Sequence, residues 1–149
     1  MRVCLVYDCL YPWTVGGAER WMRSLAEALA AAGHQVTGLA RSDASAASLE
    51  VKGVTVRRGD LDDLDAIRAG AAEAEAVLHL ANKHDWSDPA ASNRAERGAV
   101  EALVAVVEGS DRPLLLASGT AGLAQGRPAT EADRSPSRGP GAPRGGRSP

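Results

Sequence analysis

Aromatic side chains are scarce in this chain: 3% of 149 residues, with three Trp, two Tyr and no Phe. A core must therefore be assembled from Ala, Val and Leu, each burying modest area, and the expected stability is correspondingly modest. Cysteine is limited to Cys4 and Cys9. Their spacing is not C-x-x-C, so they read as two reduced thiols of a cytoplasmic protein rather than a redox pair. No apolar run approaches membrane-spanning length. Met1-Arg2 leads directly into an apolar stretch that Asp8 interrupts, too short for a secretory leader. The expected location is the cytoplasm, with no membrane contact. Net charge is −2, which gives no electrostatic reason to bind nucleic acid. Neither G-x-x-x-x-G-K-[ST] nor G-x-S-x-G occurs, so a P-loop nucleotidase and a serine hydrolase have no support.

What is present alternates. Short apolar runs at Arg2–Tyr7, Gln35–Ala40, Val54–Arg57, Ala76–Leu80 and Leu114–Ala117 read as buried strands. Between them lie helix-like segments. Ala18–Ala32 carries Trp21, Met22, Leu25, Leu29 and Ala32 on one stripe and ends at Gly33. Ala44–Lys52 is weaker. The segment after Asp60, Asp62 and Asp63 buries Leu61, Leu64, Ile67 and Ala71, with acids suited to a helix start. Glu96–Glu108 turns Val100, Leu103, Val104 and Val107 inward, after a loop with Trp86 and Pro89. Strand–helix alternation at this spacing predicts an α/β fold, a doubly wound parallel sheet ending after about five strands. Residues 1–133 form the domain. Residues 134–149 hold only Arg, Ser, Pro, Gly and Ala and are expected to be disordered. A tail so biased also fits a shifted reading frame of a GC-rich gene.

Family likeness becomes specific along Gly33-His34-Gln-Val-Thr-Gly-Leu-Ala-Arg41-Ser42, Gly53-Val-Thr-Val-Arg-Arg-Gly59-Asp60-Leu61-Asp62, Ala76-Val-Leu-His-Leu-Ala81 and Leu114-Leu-Leu-Ala-Ser118-Gly-Thr120. In order and spacing these resemble the extended short-chain dehydrogenase/reductase family, the NAD-dependent epimerase/dehydratase type, over residues 33–133. The resemblance implies a Rossmann-like domain binding NADP or NAD. Arg41 and Ser42 end the second strand, where an acid would accept from a ribose 2′-OH; a guanidinium and a hydroxyl suit a 2′-phosphate better, which favours NADP. A solvated arginine after a strand is the alternative.

Asp60 resembles the family's acid that accepts from the adenine amino group; it also fits as an N-cap of the next helix. Leu61 follows it in the same motif. Leu80 and Ala81 resemble the small-residue turn passing the ribose, or simply end a strand. Ser118 stands where the family keeps a hydroxyl on the substrate carbonyl, or is a turn former.

Two departures limit the resemblance. The family's proton donor is Tyr in Tyr-x-x-x-Lys. Here the tyrosines are Tyr7 and Tyr11 and the lysines Lys52 and Lys83, so no such motif exists and catalysis by this chain alone is not expected. The first glycine loop is also altered. Val15-Gly16-Gly17-Ala18-Glu19-Arg20 stands where G-x-x-G-x-x-G would rest the pyrophosphate on a helix N-terminus. Residues 1–32 instead resemble the opening unit of a two-Rossmann-domain retaining glycosyltransferase, in which Gly16 and Gly17 would let backbone approach a phosphate. The alternative is a turn needing positive φ.

The chain thus reads as a hybrid: a natural fusion, a recombination product or an engineered sequence. Three functions follow, in order of preference: a truncated NAD(P)-binding domain holding its cofactor weakly or not at all, a folded module without ligand, or a glycosyltransferase acceptor-side fragment. His79 sits in a predicted strand, apart from His84, Asp85 and Asp88 in the loop that follows, so no metal is expected.

Overall fold

The computed structural model describes residues 1–6, 17–83, 85, 87–117, 123, 124 and 126–133. Five strands, β1 (Arg2–Val6), β2 (Gln35–Ala40), β3 (Thr55–Arg58), β4 (Ala76–His79) and β5 (Leu114–Leu116), alternate with α1 (Gly17–Ala31), α2 (Asp43–Glu50), α3 (Leu64–Glu73) and α4 (Pro89–Val107). The sheet order is β3-β2-β1-β4-β5 and every pairing is parallel. This is the doubly wound arrangement: the chain leaves the centre at β1, fills one side, then crosses back to fill the other.

Alternation along β1 divides the core into two layers. Val3 and Leu5 face a cluster with Met22, Ala26, Val36 and Leu49. Cys4 and Val6 face the other cluster, with Leu61, Ile67, Ala71 and Leu103. Successive strand side chains point to opposite faces, so one strand serves both layers. Gly38 allows α2 to approach: a Cβ there would stand 2.9 Å from Leu49 Cδ1.

Several expectations are corrected. Trp21 is exposed and Ala26 takes its place inside, because Met22, Leu25, Ala26 and Leu29 are the residues at i, i+3, i+4 and i+7. Ala32 lies past the end of α1 and is exposed. The last helix begins at Pro89 rather than Glu96. Asp88 caps it by accepting from the Ala91 amide at 2.8 Å; Pro89 fits the first helical position, where an N–H would have no partner. Its inward stripe is Ser92, Glu96, Ala99, Val100 and Leu103, which turns Val104 to the surface. Asp60 is not a helix cap: Asp63 caps α3, accepting from the Ala66 amide at 3.0 Å. The expected tail at 134–149, the loop residues 7–16 with Gly16, the residues His84 and Trp86, and Ser118 lie outside the described residues.

Candidate functional site

In a doubly wound sheet the ligand crevice forms beyond the carboxyl ends of the strands, where successive connections run to opposite faces. Here those ends are Val6, Ala40, Arg58, His79 and Leu116. Gly17 opens α1 in helical conformation, so it is not a positive-φ turn residue.

The loops after β2 and β3 lie together. The Gly59 amide donates to the Ala40 carbonyl at 3.2 Å, extending the ladder past Arg58. Arg41 is exposed beyond Ala40. Ser42 caps α2: its Oγ accepts from the Ser45 amide at 3.1 Å and lies 2.9 Å from Ser45 Oγ. Asp43 follows, with Oδ1 3.0 Å from Arg58 Nη2.

Gly59 has φ 150°, and a Cβ there would stand 2.7 Å from Ala66 Cβ, so only glycine suits this turn. It leads to Asp60 at the carboxyl edge of the sheet. Asp60 Oδ1 accepts from the amides of Asp62 at 2.8 Å and Asp63 at 3.2 Å. These two bonds fix the carboxylate as the pivot of an Asx turn. Leu61, 1% exposed, anchors the same turn in the core.

On the other side of the crevice, the Leu80 amide donates to the Val6 carbonyl at 3.0 Å, and Ala81 is buried. Leu80 is half-buried against the β1–α1 layer. Lys83 Nζ forms an ion pair with Asp62 Oδ2, joining the loop after β4 to the one after β3. Further along, Asp85 accepts from the Ser87 hydroxyl at 2.6 Å and the Ser87 amide at 2.9 Å, and these bonds hold its carboxyl below the usual range.

The structure therefore brings Arg41, Ser42, Asp60, Leu61, Leu80 and Ala81 to one edge. The pairs Arg58–Asp43 and Lys83–Asp62 belong to the same edge and were not among the residues singled out from sequence. The signal for them is the strand order, which makes neighbours of loops distant along the chain. A hollow of ≈ 520 Å³ opens at the opposite edge among Arg2, His34, Gln35, Thr37, Thr55 and Glu73; it lies at the amino ends of the strands. Among the described residues no three His, Cys, Asp or Glu side chains gather as a metal site, and no helix is long and apolar enough to cross a membrane.

Known proteins are similar to most of this chain. The "Uncharacterized protein C2A9.02" of Schizosaccharomyces pombe is 37% identical over 124 residues, covering 82% of this chain and 42% of that protein. The crystal structure of "a putative epimerase from Burkholderia cenocepacia J2315" superposes with TM-score 0.60 and 26% identity, over 97% of this chain and 45% of that one. The Citrobacter sp. triphenylmethane reductase complexed with NADP(H) gives TM-score 0.55 over 79% of this chain and 37% of that one; at 17% identity the likeness is one of fold. The chain thus spans less than half the length of each of these three.

The likeness of residues 1–32 to a glycosyltransferase draws no support. β1 is the central strand of the sheet, α1 packs Met22 and Ala26 against it, and the likeness to the epimerase-titled structure covers 97% of this chain. The family described as NAD(P)H-binding matches residues 20–137, well over half the sequence, and the chain belongs to that NAD(P)H-binding family.

Proposed function

We propose that this chain is the cofactor-holding unit of an epimerase- or reductase-type protein, that it grips the adenosine half of the dinucleotide, and that it takes NADP(H) in preference to NAD(H). The observation that carries the reading is the convergence of Arg41 and Ser42, Gly59–Leu61 and Leu80–Ala81 at one carboxyl edge of a doubly wound sheet.

Each has a task in that reading. Asp60 Oδ1 is committed to its own turn, while Oδ2 accepts nothing among the described residues and remains an acceptor for the adenine amino group. Buried Ala81 and the backbone at Leu80 present a smooth wall for the ribose. Arg41 offers a planar fork of donors to a 2′-phosphate. The nicotinamide ring supplies the hydride chemistry when the cofactor is bound; this chain's described residues bind and orient it. Tyr-x-x-x-Lys does not occur in the sequence, so the proton donor of a complete reductase would come from outside this chain, and the unit alone binds without turnover.

Titration with NADPH and NADH, followed by nicotinamide fluorescence, tests the reading. The expected result is saturable binding weaker than about 1 µM, because the sequence ahead of α1 lacks the G-x-x-G-x-x-G pattern that brings backbone close to the pyrophosphate. NADPH should bind at least about fivefold tighter than NADH, and Arg41→Gln should remove most of that difference. Equal affinities would refute the NADP(H) preference, and no saturation with either would refute the binding role.

A further inference from the structure

The ends of β2 and β3 are locked side by side. Ala40 is in register with Arg58, and the Gly59 amide donates to Ala40 just beyond. Arg41 follows Ala40 and is exposed, and Arg58 ends the neighbouring strand, so two arginines stand at the same end of adjacent strands. Arg58 is engaged by Asp43, 3.0 Å away. That ion pair is solvent-bathed: the Arg58 side chain is 49% exposed and the Asp43 side chain 103%. Such a pair is screened and adds little to stability. It is therefore easily exchanged for a stronger partner. A phosphomonoester is that partner, with more than one negative charge and three acceptor oxygens for a planar fork of donors.

We infer that Arg58 is a second cationic arm for a ribose 2′-phosphate and that Asp43 is its resident counter-ion, displaced when the phosphate arrives. This rests on the dinucleotide reading above and adds to it the residues that set the choice between cofactors. Arg58 attracts the phosphate. Asp43 competes for Arg58 and repels the phosphate. Neutralising the two residues must then change affinity in opposite directions. A merely structural ion pair predicts otherwise, because each substitution breaks the same contact and would act with the same sign.

The experiment is calorimetric titration of the whole chain with 2′,5′-ADP and with 5′-AMP, for the wild type, Arg58→Gln and Asp43→Asn, with thermal melts in parallel. Arg58→Gln is expected to weaken 2′,5′-ADP about tenfold and leave 5′-AMP unchanged, and Asp43→Asn to tighten 2′,5′-ADP about threefold. Shifts of the same sign, or no shift for 2′,5′-ADP, would overturn the inference. Equal affinity of the wild type for both ligands would overturn it while sparing the dinucleotide reading. If neither ligand bound, that reading would fail and the inference with it.

Discussion

Replacing Arg112 with Ala tests how the two helices on one face are held. Arg112 precedes β5 by one proline, yet its guanidinium serves two other elements. Nη1 donates to the carbonyls of Ala71 at 2.9 Å and Ala74 at 3.0 Å, at the end of α3, and Nη2 donates to Val106 at 2.5 Å, in the last turn of α4. Neither helix has a basic residue in its own last turn. One cation therefore meets the negative ends of both macrodipoles and satisfies carbonyls that the helices leave open. Hydrogen bonds to a charged group contribute about 1.5–3 kcal/mol each. Three would exceed about 4 kcal/mol if additive, but two reductions apply. Arg112 is only half-buried, and the Ala71 carbonyl keeps the Ala74 amide at 3.2 Å.

The expected loss for Arg112→Ala is about 2–4 kcal/mol. At about 3 °C per kcal/mol for a domain this size, Tm should fall by roughly 6–12 °C. Arg112→Lys should fall between, since a single ammonium cannot span both helix ends. Urea unfolding followed by far-UV circular dichroism measures the effect, with Arg68→Gln as control. Among the described residues Arg68 pairs only with exposed Asp65, at 3.0 Å, so its loss should cost less than about 0.5 kcal/mol. An Arg112→Ala midpoint indistinguishable from the control would refute the reasoning.

Three further outcomes are expected. Gly59→Ala forces a Cβ to 2.7 Å from Ala66 Cβ at φ 150° and should cost about 2–5 kcal/mol; Gly33→Ala, at φ 80° with no atom within 4 Å, should cost only about 1–2, and equal losses on urea titration would contradict the crowding argument. Burial pushes the Cys4 thiol up to about 11. In a Cys9→Ser variant the folded protein should resist a disulfide reagent at pH 8 and react once unfolded. The raised value means that Cys4's contribution to stability is complete below the ordinary thiol range and fades as pH rises through about 11; rapid labelling of the folded variant would show the thiol accessible. On β5, Leu115 and Leu116 are 53% and 40% exposed and pair only with β4 among the described residues. Such an edge favours self-association, so light scattering should show concentration-dependent growth that Leu115→Lys suppresses, and a strictly monomeric wild type would be the contrary finding.

Much of the fold was legible because parallel strands buried on both faces are continuous apolar runs. Arg2–Val6 and Ala76–His79 announce themselves in that way. Helix faces were readable where a large branched apolar residue sets the stripe, as at Ile67 of α3. They were misread where the decisive residues were small or polar. Ala26, not Trp21, sits inside, and Ser92 and Glu96 lie on the buried stripe of α4. The early start of that helix hid behind Pro89, which marks loops and first helical turns alike.

At the site, residues adjacent in sequence were found together: Arg41 with Ser42, Asp60 with Leu61, Leu80 with Ala81. Arg58 with Asp43 and Lys83 with Asp62 were not. Those contacts join separate loops, and they become neighbours only once β3 is placed against β2 and the loop after β4 turns towards Asp62.

Amide chemical-shift mapping of the labelled chain during titration with NADP(H) bears most directly on the central claim, because it reports where the ligand sits as well as whether it binds. Saturable shifts should concentrate at residues 41–43, 58–63 and 80–83, the carboxyl edge of the sheet. Shifts centred instead on the opposite hollow at Arg2, His34, Gln35, Thr55 and Glu73, or no shifts at millimolar cofactor, would contradict it.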